Sequence, residues 1–136
     1  MEYQRDEHRV HLIVYHLVWT PKRRKPVLKG RVAQDCLRLI ETKCSEKGWH
    51  ILELAIDLDP IQLFVRVSPS VAAANAPALW ARVVQQCKGL PSRELRRQYP
   101  FLKRLPSLWT RSYFASTAGN VSSDTIRRYL AAQKGL

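Results

Sequence analysis

Tyr129 and Gln133 stand four residues apart near the end of the chain, in IRRYLAAQ. In a helix that spacing makes their side chains neighbours on one face. Arg127 and Arg128 flank the phenol with positive charge. A phenol, an amide and two guanidinium groups are a plausible set for attack on a phosphodiester. A phenol titrates near pH ~10, so such an attack needs the phosphate's charge neutralised and the leaving oxygen stabilised. The same spacing equally suits a tyrosine that packs within an amphipathic helix with its hydroxyl at the rim. Residue type and spacing do not choose between the two.

These side chains need elements to position them. Arg111 to Thr117 reads as a strand, and Gly119-Asn120 as a turn tolerant of positive φ. Ser122 suits an N-cap, and Asp124 suits the positive end of the helix dipole. Ile126, Tyr129, Leu130 and Gln133 then follow at helical spacing.

The chain of 136 residues is expected to form one domain, 1–136, long enough for a real core. Twenty-three Lys and Arg against eleven Asp and Glu give a net charge of +12. That excess favours a polyanionic partner, nucleic acid before a membrane surface. No segment has the length of a spanning helix, and MEYQRDEHR lacks the apolar core of a signal peptide, so a cytoplasmic location is expected. Cys36, Cys44 and Cys87 are odd in number without C-x-x-C spacing, and read as reduced, mostly buried thiols.

Residues 8 to 19 read as a central strand, ended by Pro21. PKRRKP is a cationic loop, either a solvated surface or a phosphate contact. Residues 31 to 47 fit a helix with Val32, Cys36, Ile40 and Cys44 in one stripe and Gly48 as its stop. In WHILELAIDLD, alternation puts Leu52, Leu54, Ile56 and Leu58 on one face. Asp59-Pro60 breaks the chain, and IQLFVRV forms the next strand, joined by a hairpin. A helix is expected from Ala78 to Lys88, closed by Gly89, with a separate short helical turn from Pro91 to Tyr99. The order strand, helix, strand, strand, helix, strand is the split βαβ arrangement of a ferredoxin-like α+β sandwich: an antiparallel sheet with helices packed on it, and an extra C-terminal helix carrying the tyrosine.

Four blocks, YHLVWTPKRRKPVL, the Asp59 hairpin, KGLPSRELRRQYP and LWTRSYFASTAGNVSSDTIRRYLAAQ, together resemble one family. It is the small single-tyrosine transposases of bacterial and archaeal insertion sequences, which move as single-stranded DNA. The resemblance runs from about Tyr15 to Gln133, with the blocks in the family's order. It implies that Tyr129 is the nucleophile, forming a 5′-phosphotyrosine link and freeing a 3′-hydroxyl. It implies a divalent metal, magnesium or manganese, held by a histidine–hydrophobe–histidine motif and by the glutamine that matches Gln133. It also implies hairpin single-stranded DNA as partner, and a homodimer in which one subunit's tyrosine helix can meet the other's histidines.

This chain departs from the family at the metal site. The family's Asp-His-hydrophobe-His-Leu is here Asp59-Pro60-Ile61-Gln62-Leu63, so both histidines are replaced. Proline offers no side-chain ligand, and a neutral amide is a weak one. Asp57 and Asp59 offer an alternative oxygen set with Gln62 and Gln133. Among the histidines, His16 and His50 fall in strands that could be adjacent, although a lone strand histidine is more often structural. The expectation is weak or absent metal binding, and a protein that keeps its fold, dimer and DNA grip but cleaves poorly. The alternative is an inactive or domesticated single-stranded DNA-binding protein or repressor. A ribosomal-type structural binder would explain the charge but not Tyr129 and Gln133. Arg23, Arg24, Arg111, Arg127 and Arg128 are the DNA-contact candidates. Trp19, Trp80 and Trp109 could stack on bases, with core packing as the commoner role.

Overall fold

β-Branched and aromatic residues dominate IVYHLVW, and this stretch forms β1 (Ile13–Trp19) at the centre of a four-stranded sheet. The computed structural model describes residues 13–56, 59–67, 76–117 and 131–132. After β1 come α1 (Gly30–Lys47), β2 (His50–Ile56), β3 (Ile61–Val67), α2 (Ala76–Gln98) and β4 (Phe114–Thr117). The strands lie in the order β2-β3-β1-β4 and every pairing is antiparallel. This is the expected ferredoxin-like α+β sandwich. The helix expected to follow β4 lies outside the described residues, apart from helical Ala131 and Ala132.

Side-chain alternation divides the sheet into two faces. Tyr15, Leu17 and Trp19 of β1 join Ile61, Leu63, Val65 and Val67 of β3 in the core. Val32, Cys36, Ile40 and Cys44 complete it from α1, and Leu79, Val83 and Cys87 from α2, as their spacing predicts. Cys36, Cys44 and Cys87 are free and buried. Gly48 ends α1 in the left-handed region at φ 76°, and Trp49 N–H closes the helix onto Cys44 O at 2.8 Å.

Four expectations need correction. Leu52 does not share the inner face with Leu54 and Ile56. The pairing of β2 with β3 slips between Ile51 and Glu53, leaving Leu52 as an extra residue that is 48% exposed. A bulge shifts the period-two phase by one, so Ile51 packs on the core before it and Leu54 after it.

Second, Gly89 and Pro91 do not divide a helix from a separate turn, because α2 runs through both for 23 residues. Proline has no N–H to give Cys87 O, which would ordinarily end or bend a helix. Here the indole of Trp109 donates to the neighbouring Lys88 O at 2.9 Å, tying the disturbed turn to the segment before β4. Pro91 is buried, and Leu95 beyond it belongs to the core. Packing on both sides of the proline therefore holds the helix together.

Third, the last strand starts at Phe114 rather than Arg111; upstream of it the segment meets the end of β1 through an isolated Pro21–Trp109 bridge and the hydrogen bonds of Thr110 to Thr20 and Pro21. Fourth, His16 and His50 are not on adjacent strands, since β3 lies between β1 and β2.

A Cβ at position 48 would meet nothing within 4 Å, so Gly48→Ala carries only a backbone cost. We expect a loss of about 1 kcal/mol in denaturant unfolding, with an unchanged m-value.

Candidate functional site

The turn between β2 and β3 is fixed from outside by the loop that follows β1. Arg23 and Arg24 adopt φ of 56° and 51°. Two consecutive non-glycine residues in the left-handed region cost about 1–2 kcal/mol each. The reward is an ion pair. Arg24 Nε donates to Asp59 Oδ1 and Oδ2 at 3.0 and 3.1 Å, and its Nη2 lies 3.0 Å from Oδ1. The side chains are only 13% and 16% exposed. Both oxygens of Asp59 thus face a guanidinium that already balances their charge.

Pro60 follows, buried, and β3 begins at Ile61. Gln62 lies on the face opposite the core, beside Val18 of β1 and Ala55 of β2. The next row of that face is Glu53, Phe64, His16 and Ser116, one residue from each strand. His16 is 6% exposed, and its ring stacks on Phe64 with centroids 4.1 Å apart. Burial pushes the imidazole's pKa down, against a hydrogen bond with Gln62 and the charge of Glu53, which push it up. No described residue partners His16 Nε2 or Ser116 Oγ.

This donor set does not fit a magnesium or manganese ion. Pro60 has no donor, the Asp59 carboxylate is balanced by Arg24, and Gln62 offers only a neutral amide. Asp57, Tyr129, Gln133, Arg127 and Arg128 lie outside the described residues.

Among the arginine candidates, Arg23 and Arg111 are exposed, while Arg24 is committed to Asp59. Trp19 and Trp109 are buried and meet edge to face at 6.2 Å. Trp80 packs in the same manner on Tyr15 at 5.8 Å. The tryptophans are packing residues, the commoner of the two roles.

Sequence reasoning reached Lys22 only as part of the cationic PKRRKP loop, and missed Lys88. Together with Arg111 they line an open cavity of about 640 Å³ between α2 and the segment before β4. Lys88 Nζ donates to Thr110 O at 2.8 Å and lies 3.4 Å from Arg111 O. Burial lowers its pKa to about 8. In the sequence Lys88 looks like any cation in a basic helix. Only its position against the 107–113 segment distinguishes it.

Over residues 9–133 the chain matches the family described as "Transposase IS200 like". It is 25% identical over 136 residues to the ISDra2 transposase TnpA of Deinococcus radiodurans, covering 98% of this chain and 92% of that protein. It is 25% identical over 122 residues to the transposase for insertion sequence element IS200 of Salmonella typhimurium, covering 88% of this chain and 75% of the other. A crystal structure assigned as a transposase of Deinococcus radiodurans R1 superposes with a TM-score of 0.78 at 25% identity, covering 98% of both chains.

Truncating one partner of the Arg24–Asp59 pair strands the other charge. Arg24→Ala is expected to lose roughly 1–3 kcal/mol, between the surface and buried limits, and a double-mutant cycle with Asp59→Asn should return a clear coupling energy. Equal losses with no coupling would assign the cost to packing. For Lys88, the folded pKa of about 8 lies below the ordinary 10.5. Between those values the unfolded chain holds a proton that the folded chain has released, so stability rises with pH. The stability of the parent relative to Lys88→Met should therefore increase from pH 8 to 10 in thermal unfolding, and a flat difference would contradict it.

Proposed function

Since the chain belongs to the IS200-like transposase family, we propose that it grips hairpin-forming single-stranded DNA at the ends of a mobile element, as a one-domain homodimer, with Tyr129 as nucleophile and an impaired cleavage step. In this reading the Tyr129 phenol oxygen attacks phosphorus and a 5′-phosphotyrosine bond forms. The bond to the 3′ oxygen breaks, and that oxygen takes a proton to become a hydroxyl. Arg127 and Arg128 beside the phenol, and Arg23 and Arg111 elsewhere, meet the phosphates. The net charge of +12 supports a polyanionic partner. The pairing of β4 with β1 supports one domain, because it ties the last quarter of the chain to the first strand. No described helix is long and apolar enough to cross a membrane, and the reading places the protein in the cytoplasm with the DNA.

One observation carries the impairment: the hairpin reads Asp59-Pro60-Ile61-Gln62, with Asp59 clamped by Arg24. In the resembling family a metal at this place neutralises the scissile phosphate, and electrostatic stabilisation usually supplies most of the rate enhancement in such a reaction. Here that place holds a proline and a neutral amide. Gln133 is the one family ligand retained. The second reading, an inactive single-stranded DNA binder or repressor, rests on the same two residues, and differs only in whether any cleavage remains.

Incubating the protein with magnesium or manganese and a single-stranded hairpin substrate separates the two readings. A faint covalent protein–DNA adduct, lost in Tyr129→Phe, is the expected result. Pro60→His combined with Gln62→His should raise adduct formation by about a hundredfold or more. Vigorous cleavage by the parent would overturn the impairment. Hairpin binding with no adduct, before or after the double replacement, would favour the binder.

A further inference from the structure

Two cavities, of about 640 and 360 Å³, lie side by side along α2 and share Lys88, Ser92, Trp109 and Arg111 in their walls. Together they form one groove between the helix and the 107–113 segment. Its cations are Lys22, Lys88 and Arg111, and no described carboxylate lines either part. Three positive charges with no counter-charge among the described residues make an anion the complementary occupant. The groove is also held in shape. Lys88 is pinned twice, by its ammonium on Thr110 O and by its carbonyl on the Trp109 indole. Lys22 N–H donates to Leu108 O at 2.8 Å, and Ser107 Oγ to Trp109 O at 3.0 Å. Gly89 leaves open space where a side chain would stand.

The groove adjoins the candidate site. Lys22 and Arg24 belong to one short 3-10 turn, with Cα atoms at most about 7 Å apart. Lys22 lines the groove while Arg24 holds Asp59, next to Pro60 and Gln62. Through this turn and the Arg24–Asp59 pair the groove is linked to the β2–β3 turn.

We infer that this groove is a phosphodiester subsite, taking the backbone of a single DNA strand as it leaves the Pro60–Gln62 end of the sheet, with Lys22, Lys88 and Arg111 on its phosphates. This rests on the reading that the protein binds single-stranded DNA, and it adds Lys22, Lys88 and the open edge at Gly89 to the recognition surface.

Fluorescence anisotropy with a labelled hairpin oligonucleotide bearing an unpaired tail tests this. Gly89→Leu fills the groove without removing a charge; its Cβ meets nothing within 4 Å, and leucine is the better helix former. It should fold as the parent does and weaken binding by about tenfold. Lys22→Gln and Arg111→Gln should each reduce the slope of log affinity against log salt by about 0.7. Lys47→Gln, at the far end of α1, should leave the slope alone. Parent-like binding by a folded Gly89→Leu, or unchanged slopes for both groove variants, would overturn the subsite while leaving DNA binding intact. A parent that does not bind the oligonucleotide would overturn both readings. Thermal stabilisation by inorganic phosphate, lost in Gly89→Leu while DNA affinity is unaffected, would mean an isolated anion site and would equally defeat the inference.

Discussion

β1 is hydrogen-bonded along both edges, to β3 on one side and β4 on the other. A strand held on both sides cannot slip by one residue without turning its buried set outward. That constraint fixes the rest. Tyr15, Leu17 and Trp19 must face α1 and α2, so His16 must face the other way, with Phe64 and Ser116 beside it. β3, locked to the same register, puts Gln62 on the His16 face and Leu63 in the core. The chemistry-bearing positions are set by alternation, not by any special local geometry.

Strain collects where the sheet meets its loops. The left-handed Arg23 and Arg24 are held by the Arg24–Asp59 pair and by Arg24 N–H on Pro21 O at 2.8 Å. Pro91 interrupts a helix ladder, and next to the gap Trp109 ties Lys88 O to the segment before β4. Both devices act at the ends of long-range contacts, and both border the cationic groove. Such local costs persist only where the surrounding structure over-determines them, which is common at binding sites.

Pro60 and Gln62 sit where the scaffold tolerates them. Pro60 precedes β3, where a missing N–H breaks no ladder bond inside the strand. Gln62 keeps a polar side chain on the sheet face and engages His16. Gln62 thus lies half-buried beside the buried His16 on the face opposite the core. The core draws on the opposite face of the sheet, so the residues of this face are not the ones that hold the fold together.

Alternating and four-residue spacings were enough to specify β1, β3, α1 and the order of the elements, since burial of one face follows directly from periodicity. That Pro60 offers no side-chain donor and Gln62 only a neutral amide was equally plain, because both are properties of residue type. Tertiary structure alone decided the rest. Ile51 and Leu52 are both apolar, so a bulge between them left no local mark until β3 imposed its register. Gly89 and Pro91 signal a break that Trp109 and the core overrule. Arg24 and Asp59 are separated by 35 residues, and Lys88 and Thr110 by 22. Spacing along a chain carries no information about which distant charges the fold will join.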